Sequence, residues 1–169
     1  MKVTLYMAIS IDGYIAKKDG DSDWVSEADS KIFEKKIEEA GCIVVGRKTF
    51  DQYYNDLYPV EGVTNIVLTN DATRKDKNEN VIFVPSPKEA LQVAEKKGYD
   101  KVLLIGGDHV NGTFIQENLI DDVFLSVHPL VLGEGIKIFE NFRKQVELNF
   151  VGSKEMEDGL VQLHYKIRR

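Results

Sequence analysis

Lys101-Val102-Leu103-Leu104-Ile105-Gly106-Gly107-Asp108 is the stretch on which the architecture turns. A strand-like apolar run ends in paired glycines, and a helix-like segment begins near Asp108. A strand that ends this way brings bare backbone amides close to whatever lies beyond its tip. Those amides, with the positive end of the helix dipole, can hold a phosphate. A second junction of the same kind lies upstream, where Cys42-Ile43-Val44-Val45 ends at Gly46 and Arg47-Lys48-Thr49 opens a helix. Cations at a helix start oppose its dipole, by roughly 0.3–1 kcal/mol each when exposed, and a bound anion reverses that sign. Two such junctions point to a ligand with several phosphates, and so to a nucleotide cofactor.

Around these junctions strands alternate with helices. The first strand is Val3 to Ile9, with Val3, Leu5, Met7 and Ile9 on one face. Asp12-Gly13 signals a turn, and a polar loop from Lys17 to Asp23 leads to Trp24. Ser26 reads as the N-cap of a helix that runs to about Ala40 and stops at Gly41, with Phe33, Ile37 and Ala40 on its inner face. Strand Cys42 to Val45, a short helix from about Lys48 to Asn55, and strands over 65–69 and 81–84 follow. Ser86-Pro87-Lys88-Glu89 supplies an N-cap, a first-turn proline and a third-position acid for a helix ending at Gly98. Strand Val102 to Ile105 and a helix from Asp108 to about Asn118 come next. Helices then cease: Val123 to Val131 is a strand, and Gln145 to Lys154 and Leu160 to Ile167 form a hairpin around Glu157-Asp158-Gly159. The order predicts an α/β fold in one domain over 1–169, with a mixed, mostly parallel sheet and antiparallel strands at its C-terminal edge. The polar stretch Asn70 to Asn80 reads as a surface loop.

The chain has 169 residues, 43% hydrophobic and 30% charged, with net charge −6. That balance, without a long basic run, argues against duplex nucleic acid and anionic membrane as partners. An anionic ligand must therefore be held by local groups. Cys42 is the single cysteine and reads as a small core residue. His109, His128 and His164 lack metal-ligand spacing, so no metal is expected. The N-terminus opens on Lys2-Val3-Thr4-Leu5 without a signal-like apolar segment, and no run is long enough to span a bilayer. A cytoplasmic protein is the expectation.

Neither common phosphate motif fits. Gly41 and Gly46 frame apolar strand rather than a glycine-rich loop, and the lysine is one position late for a Walker loop. The spacing around Gly106-Gly107 does not match the Rossmann fingerprint. Local sequence leaves each candidate with two readings. Gly106-Gly107 is a phosphate-facing turn or a tight turn only. Asp108 is a good capping acid that opposes a phosphate. Arg47-Lys48 contacts phosphate or is a solvated pair. Asp29 completes the Ser26 cap, or faces a cleft near Trp24 and Phe33 as a proton donor. Tyr53, Tyr54 and Tyr58 are packing residues or wall a pocket for a flat ring.

The ordered set of motifs resembles the dihydrofolate reductase superfamily. It comprises Ala8 with Ser10-x-Asp12-Gly13-x-Ile15, Trp24, Val45-Gly46-Arg47-Lys48-Thr49-Phe50, Val67-Leu68-Thr69-Asn70, Ile105-Gly106-Gly107, Leu119-Ile120-Asp121-Asp122 and Pro129-x-x-Leu132-Gly133-x-Gly135. Within it the chain is most similar to the branch holding the C-terminal reductase domain of bifunctional riboflavin-biosynthesis proteins. The resemblance implies a three-layer fold on an eight-stranded sheet and a reductase that uses NADPH. It implies nicotinamide contacts from Ala8 and Ile15, and contacts to the diphosphate and the phosphate-bearing ribose from Gly46, Arg47, Lys48 and Thr49. Thr69 and Asn70, with Arg74, would sit near the adenosine 2′-phosphate. Ile105, Gly106 and Gly107 would line the cofactor cleft through a cis peptide. Asp29 matches the catalytic acid helix of bacterial folate reductases, Trp24 and Phe33 flank the substrate with it, and Ser126 is similar to a position near the substrate ring.

The chain also departs from these relatives. Folate reductases clamp the glutamyl tail with an arginine, and Asn55-Asp56-Leu57-Tyr58-Pro59-Val60 offers none. The zinc-binding deaminase that usually accompanies the riboflavin branch has no counterpart in the sequence. The expected activity is hydride transfer from NADPH to a C=N or C=O bond of a pteridine or ribosylaminopyrimidine. The alternative is a catalytically silent NADP-binding module. By the same resemblance the chain would form a homodimer, with a small molecule as its other partner.

Overall fold

In the computed structural model, which describes residues 1–169, β1 (Lys2–Ser10) lies in the middle of the main sheet, between β6 (Lys101–Leu104) and β7 (Asp122–His128). Beyond β6 stand β3 (Cys42–Gly46), β4 (Thr64–Leu68) and β5 (Val81–Val84). Beyond β7 stand β10 (Val161–Ile167) and the edge strand β9 (Leu148–Glu155). The order is β5-β4-β3-β6-β1-β7-β10-β9. Pairings from β5 through β7 are all parallel, and β10 is antiparallel to both β7 and β9. The mixed sheet with antiparallel C-terminal strands is the expected one.

Four helices complete three layers: α1 (Glu27–Ala40), α2 (Arg47–Gln52), α3 (Pro87–Lys96) and α4 (Asp108–Gln116). Strand side chains alternate between two cores, as the pleat requires. Val3, Leu5, Cys42, Val44, Ile66 and Leu104 pack on the α3–α4 side with Ala90, Ala94 and Phe114. Tyr6, Ile43, Val45, Val67, Leu103 and Ile105 pack on the other side with Ile37 of α1 and Phe50 of α2. Val3 and Leu5 share a face, but the next residue, Tyr6, on the opposite face, is equally buried, because a sheet covered on both sides hides both of its faces. Burial pushes the Cys42 thiol up to about 12, in keeping with a core residue.

Several boundaries differ from expectation. α2 begins at Arg47 and ends at Gln52, so Tyr53 to Asn55 lie beyond it. β7 stops at His128, where the chain turns and Leu130 N bonds back to His128 O. β9 begins at Leu148 rather than Gln145. A second, two-stranded sheet pairs β2 (Tyr14–Ala16) with β8 (Ile136–Lys137) and was not legible in the sequence. Gly135 permits it: a Cβ there would lie 2.2 Å from the Ala16 carbonyl oxygen. Asp12 ties the same region, its carboxylate accepting from Leu132 N at 3.1 Å and Gly133 N at 2.7 Å. No helix is long and apolar enough to cross a membrane.

Candidate active site

The two glycine junctions meet at the carboxyl ends of neighbouring parallel strands. Gly46 N donates to the Gly106 carbonyl at 2.7 Å. A Cβ on Gly46 would come within 2.8 Å of Val110 Cγ2 and 3.5 Å of Gly107 N, and one on Gly107 within 3.0 Å of Thr49 Oγ1. At both glycines a methyl group would press on a neighbouring side chain, Val110 or Thr49. The Gly106–Gly107 peptide is cis. Beyond these strand ends opens a cavity of about 730 Å³. Ligands of open α/β sheets bind in this position, outside the carboxyl ends of the strands.

The helix caps sort the helices by what lies in front of them. Ser26 caps α1 and Ser86 caps α3, each hydroxyl accepting a first-turn N–H. The N-cap residues of α2 and α4 are Gly46 and Gly107, which offer no side-chain acceptor. Their first-turn amides face the cavity side of the sheet, where an anion can take the place of a cap. Asp108 follows the cap rather than serving as it.

Arg47, Lys48, Thr49, Thr69, Asn70 and Arg74 also line the cavity. The 70–80 loop is laced by its own side chains. Asp71 accepts from Thr73 N at 2.9 Å and Thr73 Oγ1 at 2.6 Å, which hold its carboxyl below the usual range. Asp76 accepts from the Tyr54 hydroxyl at 2.9 Å. Arg74 leaves this loop to bond Asp51 of α2, and Arg47 N–H donates to the same carboxylate at 3.2 Å. Asp71, Asp108 and Glu140 line the same cavity as these cations.

A second polar cluster lies under α1. Asp29 is 1% exposed, and its Oδ1 accepts from the Tyr6 hydroxyl. That hydroxyl also lies 2.9 Å from Ser126 Oγ and accepts from Gln162 Nε2 at 3.5 Å. Burial, then the charge and hydrogen bond of Asp29, push the Tyr6 phenol up, so it stays a proton donor. The helix start fixes this geometry: Ser26 Oγ accepts from Asp29 N at 3.2 Å, and Ser26 N donates to His128 Nε2 at 3.1 Å. His128 Nδ1 lies 3.0 Å from the Ser126 carbonyl. These two bonds place the imidazole proton on Nδ1. Asp29 Oδ2 lies 4.0 Å from Nε2, beyond hydrogen-bond reach. Phe33 stacks on Tyr6 at 5.7 Å, and Trp24 meets His128 edge-on at 5.1 Å. The buried Trp24 Nε1–H has no hydrogen-bond partner.

The structure thus gathers Gly46, Arg47, Lys48, Thr49, Thr69, Asn70 and Gly107 around one cavity, Asp29, Phe33 and Ser126 around Tyr6, and Trp24 against His128. Ala8, Ile15, Ile105 and Gly106 do not line the cavity. Ala8 pairs with Ser126 in the sheet, Ile15 lies in β2, and Ile105 is buried on the α1 side. Gly106 backs onto Met7 of β1: a Cβ there would lie 3.3 Å from the Met7 side chain. The pocket wall read into Tyr53, Tyr54 and Tyr58 is not there. Tyr58 is buried against Phe50, and Tyr53 donates to the Gly20 carbonyl at 3.1 Å. Tyr6, Asp51, His128 and Gln162 were missed. Only Tyr6 carried a usable signal, an aromatic with a polar tip inside an otherwise apolar strand.

Sheet order, glycine junctions and the acid on α1 together define a dihydrofolate-reductase-like α/β protein. The chain belongs to the RibD C-terminal domain family, whose model matches residues 1–162. It is 29% identical over 171 residues to YwjB of Bacillus subtilis, covering 97% of both chains. A Shewanella sp. PV-4 structure provisionally assigned to riboflavin biosynthesis superposes with TM-score 0.83 at 27% identity, covering 100% of both. Dihydrofolate reductase from Enterococcus faecalis, solved with NADP(H), superposes with TM-score 0.78 at 22% identity, over 99% of this chain and 97% of that one.

Proposed function

We propose that this protein is an NADPH-dependent reductase that delivers hydride to a C=N or C=O carbon of a pteridine or ribosylaminopyrimidine in the cytoplasm. One observation carries the reading: Gly46 and Gly107, both capping helices without a side-chain acceptor, open on one cavity flanked by Arg47, Lys48 and Arg74. The NADP(H) bound to the Enterococcus faecalis enzyme and the riboflavin assignment of the Shewanella protein support it.

The cradle fits a dinucleotide. Amides near Gly46 and Gly107, with Lys48 and Thr49, would hold the diphosphate, and Thr69, Asn70 and Arg74 the 2′-phosphate. Ala8 and Ile15 would border the nicotinamide ring. The bound cofactor supplies hydride, and the fold supplies position. Asp29 is the group that holds a proton near the substrate. Because Oδ1 is engaged by Tyr6, Oδ2 is the oxygen that passes it on, directly or through water. Trp24 and Phe33 flank the substrate, and Ser126 stands behind Tyr6. Asn55 to Val60 offer no cation for an acidic tail, which favours the pyrimidine over a polyglutamylated folate. In this reading the chain acts on a small molecule rather than nucleic acid or membrane and works as a homodimer. The exposed edge strand β9, with Leu148, Phe150 and Val151 at its surface, would supply the contact.

A silent NADP-binding module is the second reading, favoured by the burial of Asp29 behind Tyr6. Calorimetric titration with NADPH tests both, and a flat titration would end them. Turnover against a panel of pterins and ribosylaminopyrimidines separates one from the other.

A further inference from the structure

Asp51 stands apart from the machinery described so far. Its carboxylate accepts from two arginines at once: Arg47, one helical turn back on α2, and Arg74, which crosses from the loop after β4. Arg74 Nη1 approaches Oδ2 at 3.2 Å while its Nη2 engages Oδ1, the forked geometry that fixes a guanidinium in one plane. Its guanidinium carbon also lies 5.4 Å from the centre of the Phe83 ring. Both arginines line the cavity and Asp51 does not. The carboxylate therefore reaches them from behind and does not compete for whatever the guanidiniums face.

Two guanidiniums side by side repel, and without an anion between them they splay into solvent. One carboxylate removes most of that penalty and leaves a net charge of one cation toward the cleft. Arginine carries five N–H donors, so most donors of the pair remain free. The side chains keep 43% exposure at Arg47 and 33% at Arg74, so an incoming anion can reach them. Planar paired forks suit the terminal oxygens of a phosphate monoester. A diphosphate has its own seat at the glycine junctions.

We propose that Asp51 is a positioning residue for cofactor choice: it holds Arg47 and Arg74 as a pair that seats the monoester phosphate distinguishing NADPH from NADH. The inference rests on the reductase reading above. The test is fluorescence titration of the intact protein with NADPH and with NADH, without substrate. Wild type should prefer NADPH. Asp51→Asn should weaken NADPH about tenfold while leaving NADH within about twofold, since a lost charge-assisted contact touches only the phosphorylated cofactor. Asp51→Glu should restore most of the preference. Arg74→Gln should reproduce the loss, and adding Asp51→Asn to it should change little more. Melting temperatures verify folding. An unchanged NADPH/NADH ratio, tighter NADPH binding in Asp51→Asn, or equal weakening of both cofactors would overturn the assignment while leaving the reductase reading intact. Failure of wild type to bind either dinucleotide would remove both.

Discussion

The Tyr6 hydroxyl donates to Asp29 Oδ1 and lies 2.9 Å from Ser126 Oγ, so one phenol joins β1, α1 and β7 inside the protein. The acid proposed to serve chemistry is thus also part of the internal scaffold, and the two roles can be pulled apart.

Tyr6→Phe keeps the ring on Phe33 and removes the shared donor. Leaving a buried carboxylate oxygen short of its partner should reduce stability by about 1–3 kcal/mol, seen as a lower midpoint in thermal denaturation. The alkaline limb should change too. The folded state holds the Tyr6 proton above the ordinary tyrosine value, so its contribution is complete below about pH 10 and is lost as pH rises beyond. Stability of Tyr6→Phe should fall less steeply above that pH than stability of wild type.

Asp29→Asn leaves a carbonyl able to accept from Tyr6 but no acid to hold a proton. NADPH affinity, measured by calorimetry, should stay within about twofold, while kcat falls on the order of 10²–10⁴-fold. Equal turnover in both proteins would exclude Asp29 as proton donor.

Gly107→Ala and Gly112→Ala separate cleft from scaffold. The first sets a methyl 3.0 Å from Thr49 Oγ1 at the cavity wall and should weaken NADPH with modest loss of stability. The second sets one 1.9 Å from the Glu140 carbonyl oxygen, where α4 meets the following chain. It should lower stability by about 1–3 kcal/mol or more, as overpacking does. Gly152→Ala, with nothing within 4 Å of the new atom, is the matched control and should behave as wild type in both assays.

Acid stability should trace to Asp122. Burial pushes its carboxyl up, but the hydrogen bonds from His164 at 2.5 Å and Lys2 at 3.1 Å outweigh that and hold it below the ordinary value. The unfolded chain therefore takes up the proton first. The contribution of Asp122 is complete above about pH 4 and is lost as pH falls below it. Asp122→Asn should flatten the acid limb of a stability profile recorded between about pH 2 and 6.

The proposed dimer should sediment at twice the 19.2 kDa of the chain. Phe150→Lys, which charges the apolar edge of β9, should give monomer in the ultracentrifuge without lowering the melting temperature of the monomer fold. A wild-type monomer at all concentrations would dismiss the contact.

The sequence carried much of this because its strongest signals are local. Ser26 and Ser86 announce their helices by side-chain chemistry, Gly41 stops one by conformation, and Gly46 and Gly106-Gly107 mark strand ends where side chains do not fit. What it hid depends on distance. Tyr6 and Asp29 lie 23 residues apart and Tyr6 and Ser126 lie 120 apart, and nothing in either neighbourhood says that they meet. Nothing in the sequence around Asp51 marks it, because its second partner, Arg74, arrives from another element. The small sheet of β2 and β8 escaped because two or three residues are too few to show alternation.

The central place of β1 governs how the molecule comes into being. Its Lys2 aligns with Lys101 and its Ser10 with His128, so the ribosome makes this strand long before either neighbour exists. Contacts at such sequence separation are slow to form. Until β6 and β7 emerge, Val3, Leu5 and Tyr6 have no neighbouring strands to join, and a nascent chain cut short of β7 leaves their apolar side chains uncovered.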